Sequence, residues 1–104
     1  MTSHVLVIAD TSSSPEDADE FGRVLQKFAQ TCRTEPGCVS YEIFRSVDQP
    51  ERYVSIERYA DDEAFAAHRA STHFREIGLG EVMPLVAARD VRVYDAPRDI
   101  PPTQ

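Results

Sequence analysis

Apolar and polar positions alternate along this chain with two different periods, and the changes of period mark its elements. His4-Val-Leu-Val-Ile-Ala-Asp10 is a short β-rich run and predicts a first strand. Thr11–Ser14 reads as a loop, and Ser14-Pro15-Glu16-Asp17 has the form of a helix start. Ser14 can cap, Pro15 suits the first helical position and Asp17 can close a capping box. Phe21, Val24, Leu25, Phe28, Ala29 and Cys32 then recur at spacings of three and four, one apolar stripe along a helix. Glu35-Pro36-Gly37 stops it. Cys38–Val47 and Arg52–Tyr59 predict two further strands, joined as a hairpin by the turn-forming run Asp48-Gln-Pro50-Glu51. Asp61 is placed to cap a second helix, with Asp62 and Glu63 in its first turn and Phe65, His68 and Thr72 along one side. That pattern breaks at Ser71-Thr72-His73, where Ser71 can cap a second short helical piece carrying Phe74 and Ile77. Gly78 and Gly80 are expected to end it, and Val86–Tyr94 predicts the last strand.

The order β-α-β-β-α-β predicts an α+β, ferredoxin-like domain: a four-stranded antiparallel sheet with both helices on one face. The uncovered face raises a difficulty. Val54 and Ile56 alternate with Tyr53 and Tyr59 on strand three, and Val39, Tyr41 and Ile43 alternate with Cys38 and Phe44 on strand two. Both faces are therefore apolar, whereas a half-exposed sheet alternates apolar with polar. A second copy of the same sheet is the simplest cover, so a homodimer is expected.

Composition narrows the class. At 104 residues the chain makes one domain, placed at residues 1–95, with a flexible, proline-containing tail at 96–104. Eleven basic residues against eighteen acidic ones leave a charge of −7, which argues against nucleic acid and against an anionic membrane surface. Seven of those acids, Glu16, Asp17, Asp19, Glu20, Asp61, Asp62 and Glu63, cluster at the two helix starts, where the helix dipole favours them. Met1–Asp10 has no basic stretch and only a five-residue apolar run, too short for a signal peptide or a membrane span, so the expected compartment is the cytoplasm. Two cysteines, Cys32 and Cys38, are too few for a disulfide scaffold and are expected as reduced thiols.

The candidate chemistry is sparse. His68 lies on the apolar side of helix two, which fits either a buried, singly hydrogen-bonded histidine or a pocket acid/base, since histidine titrates near neutrality. Glu57 is a carboxylate within an aromatic strand and needs a partner if buried. It fits a structural bond, a residue that orients His68, or a base of raised pKa. His73, five residues after His68, would be about 140° round a continuous helix, which rules out the i, i+4 chelating geometry. It reads as a surface or helix-start residue, and no metal site is expected. Tyr41, Tyr53, Tyr59, Phe65 and Phe74 read as core or interface, with some of them lining a cavity for a flat apolar ligand. No phosphate-binding glycine loop and no serine-nucleophile elbow is present.

Glu35-Pro-Gly-Cys38, Tyr41, Asp48-x-Pro50, Tyr53-x-x-x-Glu57-x-Tyr59, Asp62-Glu-Ala-Phe65-x-x-His68 and Ser71-Thr-His73-Phe74 occur in one order and spacing. In that combination the chain resembles the antibiotic biosynthesis monooxygenase family of the dimeric α+β barrel superfamily, from the first strand to Tyr94. The resemblance implies a ferredoxin-like protomer whose sheet pairs with a second copy to form a barrel, and a pocket between sheet and helices. It implies a cofactor-independent oxygenation of a quinol, polycyclic phenol or anthrone by molecular oxygen, with His68 as base and Glu57 behind it. It leaves open an isomerase or cyclase on the same barrel, and a non-catalytic ligand-binding or interaction module. The heme-degrading branch matches poorly: it carries tryptophan where this chain has His68 and a heme-ligating histidine near Gly78, and this chain has no tryptophan.

Overall fold

The computed structural model describes residues 4–102. Strand β1 (Val5–Ser12) leads through a 3-10 turn (Pro15–Asp17) into helix α1 (Ala18–Cys32). The hairpin β2 (Cys38–Arg45) and β3 (Arg52–Tyr59) follows, then α2 (Asp62–Arg69). A third helix, α3 (Phe74–Val82), is wound at the wider π pitch and runs into a 3-10 turn (Met83–Leu85) before β4 (Ala88–Asp95). The strands form one antiparallel sheet in the order β2-β3-β1-β4. With three helices on it, this is the ferredoxin-like α+β fold. No described helix is long and apolar enough to cross a membrane. Residues 97–102 form neither helix nor strand, and the end of the expected tail, Thr103 and Gln104, lies outside the described residues.

The α1 stripe does what its spacing predicts. Phe21, Val24, Leu25, Phe28, Ala29 and Cys32 are all buried, against Tyr41 and Tyr53 of the sheet and Val82 of α3. Val5, Val7 and Tyr59 form a second cluster, closed by Phe65. Caps divide the helical layer as expected. The Asp61 carboxylate accepts the Ala64 N–H at 2.8 Å, and the Ser71 hydroxyl accepts the Phe74 N–H at 3.1 Å. Ser14 differs. It occupies the N-cap position of the 3-10 turn, but its hydroxyl donates to the Asp17 carboxylate, not to the role of a backbone cap.

Two expectations are corrected. Gly78 and Gly80 do not end the third helix, which continues through both to Val82. Gly78 is buried against Phe28, where a Cβ would stand 3.3 Å from the ring, so its small size serves close packing of α3 on α1. The second correction concerns β2. The register shifts between Cys38 and Ser40, so that Cys38 pairs with Tyr59 and Tyr41 with Glu57. This bulge puts Val39 out of step and 65% exposed, and brings Cys38 onto the face of Tyr41.

The face away from the helices carries Leu6, Ile8, Val54 and Ile56, all half-buried, with exposed Phe44 and Tyr94 at its sides. Polar groups interrupt it, among them the Asp10–Arg52 ion pair at 2.6 Å. On the helix side, β4 lies beyond the helical layer, which leaves Val91 and Val93 about half exposed.

Candidate functional site

A cavity of about 340 Å³ lies between sheet and helices, a volume at the low end for small-molecule sites. Its floor includes Val7, Ala9, Tyr41, Tyr53, Ser55 and Glu57, with Val91 and Val93 at the β4 side. Phe28, Phe65, His68, Phe74, Leu79 and Val82 come from the helices above, and Arg69 and Arg89 also line it. The lining is aromatic and aliphatic with a few polar groups.

His68 sits near the end of α2, 3% exposed, in a box of rings. Its centroid is 4.8 Å from Tyr59, 5.3 Å from Phe74, 5.9 Å from Phe28 and 6.2 Å from Phe65, with which it stacks. Its Nδ1 lies 2.9 Å from Oε2 of Glu35, and that same oxygen contacts Nε2 of His73. An ionised carboxylate only accepts, so both facing nitrogens carry hydrogen. With Nδ1 donating to that oxygen, Nε2 is the nitrogen of His68 that Glu35 does not engage.

The backbone explains how Glu35 arrives there. After α1 the chain turns with the Glu35 N–H on the Cys32 carbonyl, 3.0 Å, and the Cys38 N–H on the Glu35 carbonyl, 3.1 Å. Gly37 accepts the Ala60 N–H at 2.9 Å and lies so close to α2 that a Cβ would stand 2.3 Å from that of Ala64. That approach presses the turn against the base of α2, under His68.

Glu57, 5% exposed, accepts the Ser55 hydroxyl on Oε2 and the Tyr59 hydroxyl on Oε1, both at 2.7 Å. Burial raises its pKa above the ordinary carboxylate value, and the Tyr59 and Ser55 bonds, with a positive charge on His68 whenever that ring is protonated, only partly oppose this. Burial, then the charge of Glu57, pushes the Tyr41 hydroxyl well up, and the same two causes raise Tyr59. Burial also raises the Cys32 thiol, with Glu35 and Glu57 adding. Both cysteines are free thiols.

The expected residues are therefore brought together with two changes. His68, Glu57, Tyr41, Tyr53, Phe65 and Phe74 all line the cavity. Tyr59 does not. It is fully buried, and its hydroxyl serves Glu57. Among the described residues Glu57 and His68 share no hydrogen bond; the carboxylate on His68 is Glu35, which the sequence marks as a helix stop and a family motif but not as a site residue. The expected separation of His68 and His73 is corrected as well. The chain turns at Ala70–Ser71 instead of continuing the helix, so the two rings lie 6.4 Å apart and meet on Glu35. Together with Cys32 they form a Cys/His/Glu group that spacing alone does not reveal.

A ferredoxin-like α+β sheet roofed by helices over an aromatic cavity defines the class of fold. Residues 4–78 match the family model for antibiotic biosynthesis monooxygenase, and the chain belongs to that family. It is 36% identical over 74 residues to Rv0793 of Mycobacterium tuberculosis, which carries a provisional monooxygenase name, a match spanning 71% of this chain and 72% of that one. The solved structure of Rv0793 superposes with a TM-score of 0.82 at 31% identity, covering 93% of this chain and 97% of that one. YcnE of Bacillus subtilis, also provisionally named a monooxygenase, is 31% identical over 61 residues, 59% of this chain and 64% of its own length. The 4-hydroxy-5-phosphonooxypentane-2,3-dione isomerase of Klebsiella pneumoniae is 28% identical over 69 residues, 66% of this chain and 70% of its own.

Proposed function

We propose that this protein oxygenates a small phenolic aromatic, a quinol, polycyclic phenol or anthrone, with molecular oxygen and without a cofactor. The observation that carries this reading is His68. Glu35 holds its Nδ1, so Nε2 is the nitrogen left to accept a proton in the wall of an apolar cavity. Removal of the phenolic or enolic proton by Nε2 leaves an electron-rich anion. One electron passes from that anion to oxygen, and the radical pair combines to a carbon hydroperoxide. Loss of water leaves a carbonyl, so one oxygen atom enters the product and the other leaves as water. The protein's part is to desolvate, orient and stabilise the anion. Tyr41, Tyr53, Phe65 and Phe74 supply flat contact surface, and Glu57 with Ser55 the polar floor.

Provisional monooxygenase names among the relatives support the reading. We further propose a homodimer joined through the outer sheet face around Ile8, Phe44, Val54 and Ile56, working in the cytoplasm. Oxygen uptake with a panel of reduced naphthoquinols and anthrones tests the reaction. Uptake that collapses in His68→Ala supports it; no uptake above a heat-inactivated control, or full activity in His68→Ala, overturns it. The isomerase relative favours a second reading, acid/base isomerisation by the same histidine without oxygen. Turnover of a hydroxyketone substrate under strict anaerobiosis distinguishes the two.

A further inference from the structure

Beneath the cavity wall, Cys32, Glu35, His68 and His73 converge from the end of α1, the following turn, the end of α2 and the start of α3. Each offers one ligand atom, and all four atoms lie within 4.8 Å of one another. From this geometry we propose a four-coordinate site for a borderline divalent transition metal, zinc above all, with one sulfur, two nitrogen and one oxygen ligand.

The donor set carries the assignment. Zinc takes Cys, His and carboxylate at about 2.0–2.3 Å in a tetrahedron, which puts neighbouring ligand atoms about 3.3–3.8 Å apart. The widest pair here closes with a movement of about 1 Å. A thiolate and a carboxylate neutralise a dication, and two neutral imidazoles add no charge, so the loaded cluster carries none to bury. Cys32 and His68 are buried, Glu35 is nearly so, and His73 closes the cluster at its partly exposed side. An independent observation points the same way. Oε1 of Glu35 is buried and has no hydrogen-bond partner, while Oε2 serves both histidines. An orphaned buried acceptor is costly, and a cation at the carboxylate satisfies it.

The inference goes beyond the oxygenase reading and bears on it through His68. Ligation through Nδ1, the nitrogen turned to Glu35, places the ring hydrogen on Nε2. A loaded protein then presents a donor to the cavity where the metal-free protein presents an acceptor.

Cobalt and zinc titrations of the chelator-treated full chain test the site by spectroscopy, with no reference to turnover. One equivalent of Co2+ per chain is expected, with the strong visible bands of four-coordinate cobalt and a near-ultraviolet thiolate-to-cobalt band, both bleached by one equivalent of Zn2+. Cys32→Ser is expected to abolish the thiolate band and Cys38→Ser to leave it. His73→Gln, at a partly exposed position whose loss leaves the core packed, is expected to weaken binding at least ~10-fold. Absence of stoichiometric binding overturns the proposal. So does a thiolate band that survives Cys32→Ser or vanishes in Cys38→Ser, or a pale six-coordinate spectrum indifferent to His73→Gln. If Cys32→Ser does not fold, Cys38→Ser and His73→Gln decide alone.

Discussion

Replacing Glu57 by Gln should stabilise the fold, and increasingly so as pH rises. Glu57 is buried, and the groups that donate to it among the described residues are neutral hydroxyls, those of Ser55 and Tyr59 at 2.7 Å. Among the described residues no arginine or lysine pairs with it, and burial outweighs those bonds, so its folded pKa stands above the ordinary glutamate value. A carboxyl with a raised folded pKa binds more protons folded than unfolded. It therefore costs nothing below the unfolded value, and stability falls as pH rises from there through the folded pKa. Each unit of elevation costs about 1.4 kcal/mol once both states are ionised, and the slope within the window reaches at most about 1.4 kcal/mol per pH unit. Gln keeps a carbonyl for the Tyr59 hydroxyl and can donate to Ser55, so the variant sheds the ionisation cost while retaining both contacts. Urea denaturation of both proteins at fixed concentration, from pH 4.5 to 7.5, reads the difference directly. Other titrating groups cancel in that difference. The variant's advantage should grow with pH and then level off. A difference that is flat, or that shrinks with pH, refutes the reasoning that burial dominates at Glu57.

Three further outcomes are expected. Glu35→Ala should release His68 from its Nδ1–H tautomer, a change read in the 15N shifts of the imidazole; an unchanged tautomer means that Glu35 does not set it. Gly37→Ala should destabilise by about 1–3 kcal/mol, because the new methyl overlaps Ala64 and pushes the Glu35 turn off α2; an unaltered melting temperature would count against that packing. Arg52→Ala should leave the urea midpoint close to that of the parent protein, because its pair with Asp10 is open to solvent despite a 2.6 Å contact; a large drop in midpoint would refute this.

What the chain reveals before folding, and what it conceals, divides by the range of the contacts involved. The burial of Phe21, Val24, Leu25, Phe28, Ala29 and Cys32 is legible because a helix brings its own residues together at fixed spacing. Asp61 and Ser71 are legible as caps because their partners stand three residues away. Gly78 is misread as a stop because its reason, the Phe28 ring, lies fifty residues upstream. The Val39 bulge is hidden because two-residue alternation carries no sign of a slipped register. At the site, His68 and Glu57 stand out as polar residues in apolar runs. Glu35 does not, because Glu-Pro-Gly is a complete local explanation of itself. Its meaning as the partner of two histidines exists only after α1 and α2 have packed, and the same holds for Tyr59, which packs with Val5, Val7 and Phe65 and lies outside the cavity lining.

The position of β1 sets an order of events in time. This strand occupies the middle of the sheet, yet its neighbours come late in the chain: Val5 faces Tyr59 on one side and Asp95 on the other. As the chain is synthesised, β1 waits with both hydrogen-bonding edges open, first for the hairpin and then, on its second side, for the last strand to emerge. Loops of that length close slowly, so this sheet belongs with the slower folders of its size. Val91 and Val93 of β4 complete the cavity wall, so the cavity closes only once this strand has emerged and docked, and a chain arrested before Ala88 lacks that wall.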